Sequence, residues 1–134
     1  MILVLCTDDR LKTAFSGKRQ STDRALRTNL ISLSEGRPIR MNRYSRSRFT
    51  EPGNYVVSED FLKTAGPGQI CFAEGHFELP TPERVEKLIL YRWNRAYPGD
   101  EEMPTEYLHC FALSERADFK GFSHERITRE VYVK

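Results

Sequence analysis

Met1-Ile2-Leu3-Val4-Leu5-Cys6 is a continuous apolar run at the start of the chain. A short run without polar alternation is typical of a strand that is buried on both faces of a sheet. Thr7-Asp8-Asp9 ends the run far short of the roughly 18 apolar residues that a membrane span needs. No basic segment precedes it, as a signal peptide would require. We therefore expect a buried strand in a cytoplasmic protein that does not associate with a membrane.

The size and composition of the chain predict one globular domain over residues 1–134. The 134 residues are 39% hydrophobic and 30% charged, which excludes collagen, low-complexity disorder and a disulfide scaffold. The cysteines, Cys6, Cys71 and Cys110, are odd in number and form no Cys-x-x-Cys motif. They predict free thiols in a reducing compartment, buried as small apolar residues, rather than a zinc site.

Helical patterns lie in the first half of the chain. Leu11, Ala14 and Phe15, with a stop at Gly17, suggest a first helix after Asp8 or Asp9. Residues 21–35 predict a second helix, because Leu26, Leu30 and Leu33 fall on one helical face and Gly36 follows them. Residues 37–52 have no clear period and suggest an extended loop or an irregular strand.

Strand patterns dominate from residue 54 onward. The candidate strands are residues 54–57, 69–79, 87–97 and 106–115. The last two are predicted to pair as a long hairpin. Residues 123–131 fit either a helix or a strand. Along residues 87–97, Tyr91 and Trp93 share a face that we interpret as core rather than as a base-stacking platform. Helices first and strands later predict an α+β fold, with a largely antiparallel sheet from the second half and the first-half helices packed on one face.

Charge is divided unevenly along the chain. Residues 1–50 hold 11 Lys and Arg against 4 Asp and Glu, whereas residues 51–134 hold 10 against 15. An arginine-rich segment with an interleaved aromatic residue is the sharpest feature of the basic half, and it consists of Arg37, Arg40, Arg43, Tyr44, Arg46 and Arg48. Guanidinium groups pair with phosphate through two hydrogen bonds and stack on bases. The segment predicts binding to RNA or another polyanion; a solvated surface neutralised by acidic residues, or a mobile loop, is the alternative.

Four residues are candidates for acid–base chemistry: Glu74, His76, Arg92 and His109. In a strand, Glu74 and His76 would share one face, and His109 and Arg92 would lie on two paired strands. A carboxylate or histidine would remove a 2′-hydroxyl proton, a second histidine would protonate the leaving oxygen, and arginine would stabilise the charged transition state. The alternative is structural, with His109 in the core or an interface and Glu74 on a solvent-facing edge.

No phosphate-loop, dinucleotide-fingerprint, nucleophile-elbow or zincin motif is complete in this sequence, so we expect no cofactor and no metal. The residues favour a small RNA-binding protein, with metal-independent ribonuclease activity as an extension that leaves its status as an enzyme open. The alternative is a regulatory or inhibitory module of the immunity or antitoxin type, with a protein partner and no catalytic activity. The oligomeric state stays open at this point.

Overall fold

The computed structural model describes all residues, 1–134, and strands outnumber helices in it. The strands are β1 (Ile2–Thr7), β2 (Lys12–Phe15), β3 (Lys18–Arg19), β4 (Ile39–Met41), β5 (Tyr55–Val57), β6 (Ile70–Phe72), β7 (Lys87–Arg92), β8 (Glu101–Glu102), β9 (Ala112–Phe119) and β10 (Ile127–Val133). The helices are α1 (Arg24–Ser34), α2 (Arg43–Arg46) and α3 (Thr105–Leu108), and Pro82–Arg84 forms one 3-10 turn. No helix is long and apolar enough to cross a membrane.

A mixed sheet forms the centre of the molecule. Its seven strands follow the order β5-β4-β6-β1-β7-β10-β9. β1 pairs in parallel with β6 and β7, and β4 pairs in parallel with β5 and β6. Only β10 is antiparallel to its neighbours, β7 and β9. A second, three-stranded sheet has the order β3-β2-β8.

Side chains alternate between two apolar cores, one on each face of the main sheet. Ile2, Val4 and Cys6 of β1 face the core that contains α1. Leu3 and Leu5 face the opposite core, which is covered by the loops after β5, β6 and β8. All six residues of β1 are buried, because the strand lies in the middle of the sheet and both of its faces are covered.

α1 covers the first face through its apolar stripe. Leu26 and Leu30 are 1% exposed, one helical turn apart. The Asp23 side chain caps the amino end by accepting the Ala25 amide. Glu35 takes the left-handed conformation, with φ of 49°, where the helix ends.

The predicted fold class is wrong, because most of the pairings along the main sheet are parallel. Helices from the first half do not form a layer of their own, since α1 is the only helix of more than four residues. The crossovers from β5 to β6 and from β6 to β7 run through loops on the second face, and loops carry no periodic signal that would have revealed them.

Several local predictions are confirmed and others are wrong. β1, α1, β5 and β7 lie where the patterns placed them, and Tyr91 and Trp93 are core residues at 0% and 3% exposure. Residues 11–15 belong to a strand instead of a helix, because Ser16-Gly17 turns the chain back into β3. The predicted hairpin of residues 87–97 with 106–115 is absent, since α3 occupies residues 105–108 and β9 pairs with β10. Cys6 and Cys71 are buried, whereas Cys110 is exposed.

Replacement of Leu3 by Ala tests the central place of β1. Leu3 is 0% exposed, so we expect Leu3→Ala to lower the free energy of unfolding by about 2–5 kcal/mol. Leu113→Ala on the outer strand β9 is the matched control, because that side chain is 50% exposed and its loss costs about 0.5 kcal/mol or less. Urea unfolding of both variants measures the difference. Equal losses would contradict the assignment of β1 to the core.

Candidate functional site

The carboxyl ends of β1 and β6 lie side by side in the middle of the main sheet, and we call the region between them the crevice. The chain leaves β1 toward α1 and β4 over one face, whereas it leaves β6 toward β7 over the other face. Adjacent parallel strands whose connections lie on opposite faces define a topological switch point, which is where open α/β sheets bind ligands. Thr7 and Glu74 lie at the two sides of this crevice. The topology alone therefore marks it as the first place to look for a site.

The hairpin of β2 and β3 covers the crevice. The two residues of its turn, Ser16 and Gly17, have positive φ angles of 51° and 76°, which suit a tight hairpin turn. The Gly17 carbonyl accepts the His76 amide at 3.1 Å. A Cβ added to Gly75, whose φ is +71°, would lie 3.0 Å from the same carbonyl oxygen. Glycine at position 75 thus permits the hairpin to approach the backbone that follows β6.

Arg19 of β3 binds the carboxylate at the crevice. Its Nε donates to Glu74 Oε1 at 2.9 Å and its Nη2 donates to the Tyr44 carbonyl at 2.9 Å. The guanidinium also stacks on the Tyr44 ring, 3.8 Å from its centre. The Arg19 and Glu74 side chains are 10% and 7% exposed. Burial raises the pKa of Glu74, and the positive charge of Arg19 offsets part of that rise.

Two buried oxygen atoms near this hairpin, Thr7 Oγ1 and Gln20 Oε1, have no hydrogen-bond partner. Thr7 is 0% exposed at the end of β1, and Gln20 directly follows β3. An unpaired buried polar atom costs about 1–3 kcal/mol. These two oxygens therefore give the crevice a capacity for polar contacts that the protein itself does not use.

A groove of about 340 Å³ lies beside the crevice, between residues 59–63 and 76–81. His76 joins the two features, because it lines the groove and donates its amide to the hairpin. The apolar lining comes from Phe61, Leu62, Phe77 and Leu79. The polar lining comes from Asn42, Glu59, Asp60, Lys63, His76, Glu78, Thr81 and Arg84. Ligand pockets are commonly about 300–1,000 Å³ and combine apolar walls with a few polar groups, so the groove has the size and chemistry of a small-molecule site.

On the α1 side of Glu74, a slot between the helix and the sheet is almost closed. Its volume is about 10 Å³, and Leu26, Phe49, Phe72 and Trp93 fill the space around it. A cavity of that size holds about one water molecule. The crevice therefore leads to a usable cavity on one face of the sheet only.

A hydrogen-bonded cluster centred on His124 borders this slot, and sequence analysis missed it. His124 Nδ1 lies 2.8 Å from Asp23 Oδ2, and Nε2 lies 2.8 Å from Tyr97 Oη and 3.1 Å from Ser21 Oγ. Trp93 stacks on the imidazole with 4.6 Å between ring centres. Aspartate, histidine and serine in this order resemble a nucleophilic triad, but the slot beside Ser21 has no room for an acyl group. The cluster instead ties the segment before β10 to the start of α1.

Asp23 is the anchor of this cluster. Burial opposes ionisation of its carboxyl group, but hydrogen bonds from the Phe122 amide, the His124 ring, and the Ser123 and Ala25 amides hold the pKa of Asp23 well below its usual range. Since 101 residues separate Asp23 from His124, no local spacing in the sequence could have indicated the pair.

The four residues predicted for acid–base chemistry have separate partners. Glu74 binds Arg19, whereas His76 Nδ1 lies 2.7 Å from Glu101 Oε1. Arg92, at the end of β7 beside Thr7, pairs with Glu130 of β10, and His109 is exposed at the end of α3. Only Glu74 and His76 lie at the crevice and the groove, so the structure contains no shared centre of the kind predicted from the sequence.

Three guanidinium groups of the arginine-rich segment, residues 37–48, donate hydrogen bonds to nearby backbone carbonyls. Arg37 donates to the Ser34 carbonyl, Arg40 to the Phe61 carbonyl, and Arg46 to the Phe49 carbonyl while it stacks on Tyr55. The Tyr44 ring stacks against the Arg19 guanidinium. Arg37, Arg43, Arg46 and Arg48 are exposed, and Arg40 is half-buried. Carboxylates do not neutralise any of the five arginines by ion pairing.

No protein-family model and no curated protein match the chain. Among solved structures, 181 chains are similar to it. One is a dihydrofolate reductase from Enterococcus faecalis in complex with NADP(H) and RAB-propyl. Its TM-score is 0.57 at 10% sequence identity, and the match covers 98% of this chain and 94% of that chain. The chain therefore has a dihydrofolate reductase-like fold.

This fold overturns the function predicted from the sequence. Binding of RNA or another polyanion, ribonuclease activity, and the alternative of a regulatory or inhibitory module with a protein partner are all wrong. The charge bias misled because residues 37–48 belong to β4, α2 and their flanks, where three of the guanidinium groups bond to nearby carbonyls. A cluster of arginines in the sequence does not by itself show which groups remain available at the surface.

The low pKa of Asp23 predicts an acid-sensitive contribution to stability. A carboxyl group with a lowered folded-state pKa stabilises the protein above its unfolded pKa of about 4, and the contribution is lost as pH falls below that value. We expect Asp23→Asn, which keeps a capping side chain, to lower the free energy of unfolding by about 1–3 kcal/mol at pH 7. The deficit shrinks between pH 4 and pH 2, as measured by urea unfolding.

Asp9→Asn is the control for that experiment, because Asp9 is exposed and its side chain has no comparable set of donors. A deficit for Asp23→Asn that stays constant from pH 7 to pH 2 would show that the carboxylate charge contributes nothing.

Proposed function

We propose that the chain is a nucleotide-binding protein that takes a pyridine dinucleotide along the carboxyl ends of β4, β6 and β1. The observation that carries the proposal is the groove of about 340 Å³ beside the switch-point crevice, in a fold shared with a reductase that was solved with NADP(H). The carboxyl edge of a parallel sheet is the usual place for such a ligand.

The lining of the groove suits a nucleoside. Phe77 and Leu79 provide apolar contact for a base on one wall, opposite Phe61 and Leu62. Glu59, at the end of β5, offers a carboxylate, which is the group that accepts hydrogen bonds from ribose hydroxyls in many dinucleotide sites. The carboxylates of Glu59, Asp60 and Glu78 outnumber the cations Lys63 and Arg84 in this lining, so the site favours free ribose hydroxyls over an extra phosphate and NADH is the first probe.

The fit to a whole dinucleotide depends on the crevice. The groove accommodates the nucleoside portion, and the unpaired Thr7 hydroxyl and Gln20 amide oxygen provide polar contacts for the remainder. When bound, a pyridine dinucleotide supplies hydride. In this chain Arg19 and the β2–β3 hairpin lie over the crevice, so the second half of the ligand enters only after they move.

The slot beside α1 does not accommodate a folate-sized second substrate. The slot beside α1 has a volume of about 10 Å³, far below the roughly 300 Å³ of the smallest ordinary ligand pockets. Our proposal is therefore nucleotide binding, without folate reduction. We also propose the cytoplasm as the location of the protein, because Cys6, Cys71 and Cys110 are all free and free thiols persist in reducing compartments.

Replacement of Phe77 tests the groove. Stacking of a base on an aromatic ring is worth about 1–3 kcal/mol, so we expect Phe77→Ala to weaken NADH binding about tenfold or more. Isothermal titration calorimetry measures the dissociation constant, and AMP serves as a probe of the nucleoside half alone.

Phe122→Ala is the matched control, because Phe122 is 71% exposed and lies beside α1, away from the groove. We expect it to bind NADH as the unmodified chain does. The proposed function fails if the unmodified chain binds neither NADH nor AMP, or if the two alanine variants weaken binding equally.

A further inference from the structure

We propose that Arg19 is the phosphate-binding residue of this nucleotide site, and that it leaves Glu74 for the phosphate when the nucleotide binds, which releases the hairpin from the crevice. The inference rests on the proposed function. It adds the residue that binds the phosphate, the exchange of Glu74 for that phosphate, and the movement of the β2–β3 hairpin. Guanidinium groups bind carboxylate and phosphate with the same planar fork of donors. The two anions therefore compete for Arg19.

Arg19 is the cation best placed for this exchange. Its side chain lies at the crevice itself, bonded to Glu74 at the end of β6. Arg27, a second guanidinium near Glu74, is already held by Glu51 through contacts of 2.8 and 3.4 Å. Arg48 lines the same slot as Glu74 but is exposed and has no carboxylate partner. Arg19 is therefore the guanidinium that is paired with the carboxylate of the crevice, Glu74. A phosphate bound over the crevice would contact it.

The hairpin that carries Arg19 is bonded to its neighbours mainly through β2 and the turn: β2 pairs with β8, the Ser16 amide donates to Asp100, and the Gly17 carbonyl accepts the His76 amide. β3 has two residues and pairs with β2 at two positions only. Leu11, just before β2, has φ of 62°, and Ser16 in the turn has φ of 51°; both angles lie in the left-handed region that side chains disfavour. Movement of the hairpin breaks its bonds to β8, Asp100 and His76, so phosphate binding to Arg19 has to offset the loss of these bonds.

Loss of Arg19 leaves Glu74 buried without its partner. The groups that face Glu74 are Cys6 of β1, Ser45 of α2 and Arg27 of α1. Cys6 is buried, its thiol pKa is raised, and Arg27 is committed to Glu51. Arg48 also lines the slot beside Glu74, but its side chain is exposed and does not bond to the carboxylate. None of these groups is bonded to Glu74 as Arg19 is. Because burial already raises the pKa of Glu74, we expect the carboxylate to take up a proton when Arg19 leaves.

Titration calorimetry in two buffers tests the exchange. NADH is titrated into the full chain at pH 7 in buffers with different ionisation enthalpies, which yields the number of protons bound per nucleotide. We expect net proton uptake by the unmodified chain. Glu74→Gln should abolish the uptake and tighten NADH binding about tenfold, because the competing anion is gone; Arg19→Met should weaken binding about tenfold or more.

Exposed residues provide the controls. Glu35→Gln and Arg116→Met should keep both the affinity and the proton uptake, because both side chains lie at the surface away from the crevice. Thermal unfolding checks that every variant is folded. If Arg19→Met does not fold, Arg19→Lys replaces it: with its point charge and no planar fork, we expect it to bind NADH more weakly than the unmodified chain, and unchanged affinity would overturn the proposal.

The outcomes separate this inference from the proposed function. NADH binding with no proton uptake, and with equal affinity in the Arg19 variant, would overturn the exchange and leave nucleotide binding intact. Absence of NADH binding in both the unmodified chain and Glu74→Gln would overturn the two proposals together. Binding with uptake that disappears in Glu74→Gln supports both.

Discussion

Burial of β1 on both faces is the constraint from which the rest of the structure follows. With six buried residues between two parallel neighbours, the strand requires an apolar cover on each side of the sheet. α1 covers one face and the loops before β6 and β7 cover the other. Because the connections after β1 and β6 lie on opposite faces, a crevice opens between the carboxyl ends of these strands.

In the proposed exchange, the Arg19–Glu74 pair decides whether that crevice is open or closed. A buried ion pair contributes little net stability, because desolvation of both charges offsets their attraction, yet loss of one partner is costly. Such a pair can therefore act as a switch between two conformations, one with the pair formed and one with it broken. In this chain it joins a short hairpin to the strand end beside the groove, so a ligand that offers Arg19 a better anion gains access to the middle of the sheet.

Sequence patterns predicted the elements whose signal is local. β1 and α1 follow from an apolar run and from the spacing of Leu26 and Leu30, and their burial confirms both. The direction of each strand was not predicted, because the continuous apolar run of β1 indicated burial on both faces but was not taken further to a parallel sheet, and the fold class was therefore wrong. The β2–β3 hairpin was taken for a helix because Leu11, Ala14 and Phe15 also fit a helical spacing.

The candidate site was harder to predict for a related reason. Glu74 and His76 drew attention as neighbours in the sequence, and both lie at the site. Arg19 was not among the candidates, because its partner Glu74 is 55 residues away and the distant arginines of residues 37–48 dominated the charge pattern. Contacts that join distant segments become visible only once the sheet order is known.

Chemical-shift mapping by nuclear magnetic resonance tests the central claim most directly, that the closed crevice is a nucleotide site. Addition of NADH to the ¹⁵N-labelled protein should shift the backbone amides of Thr7, Gly17, Arg19 and Gly75, together with those of residues 59–63 and 76–81. Shifts that are absent, or that cluster instead around the outer strand β9, would contradict the account.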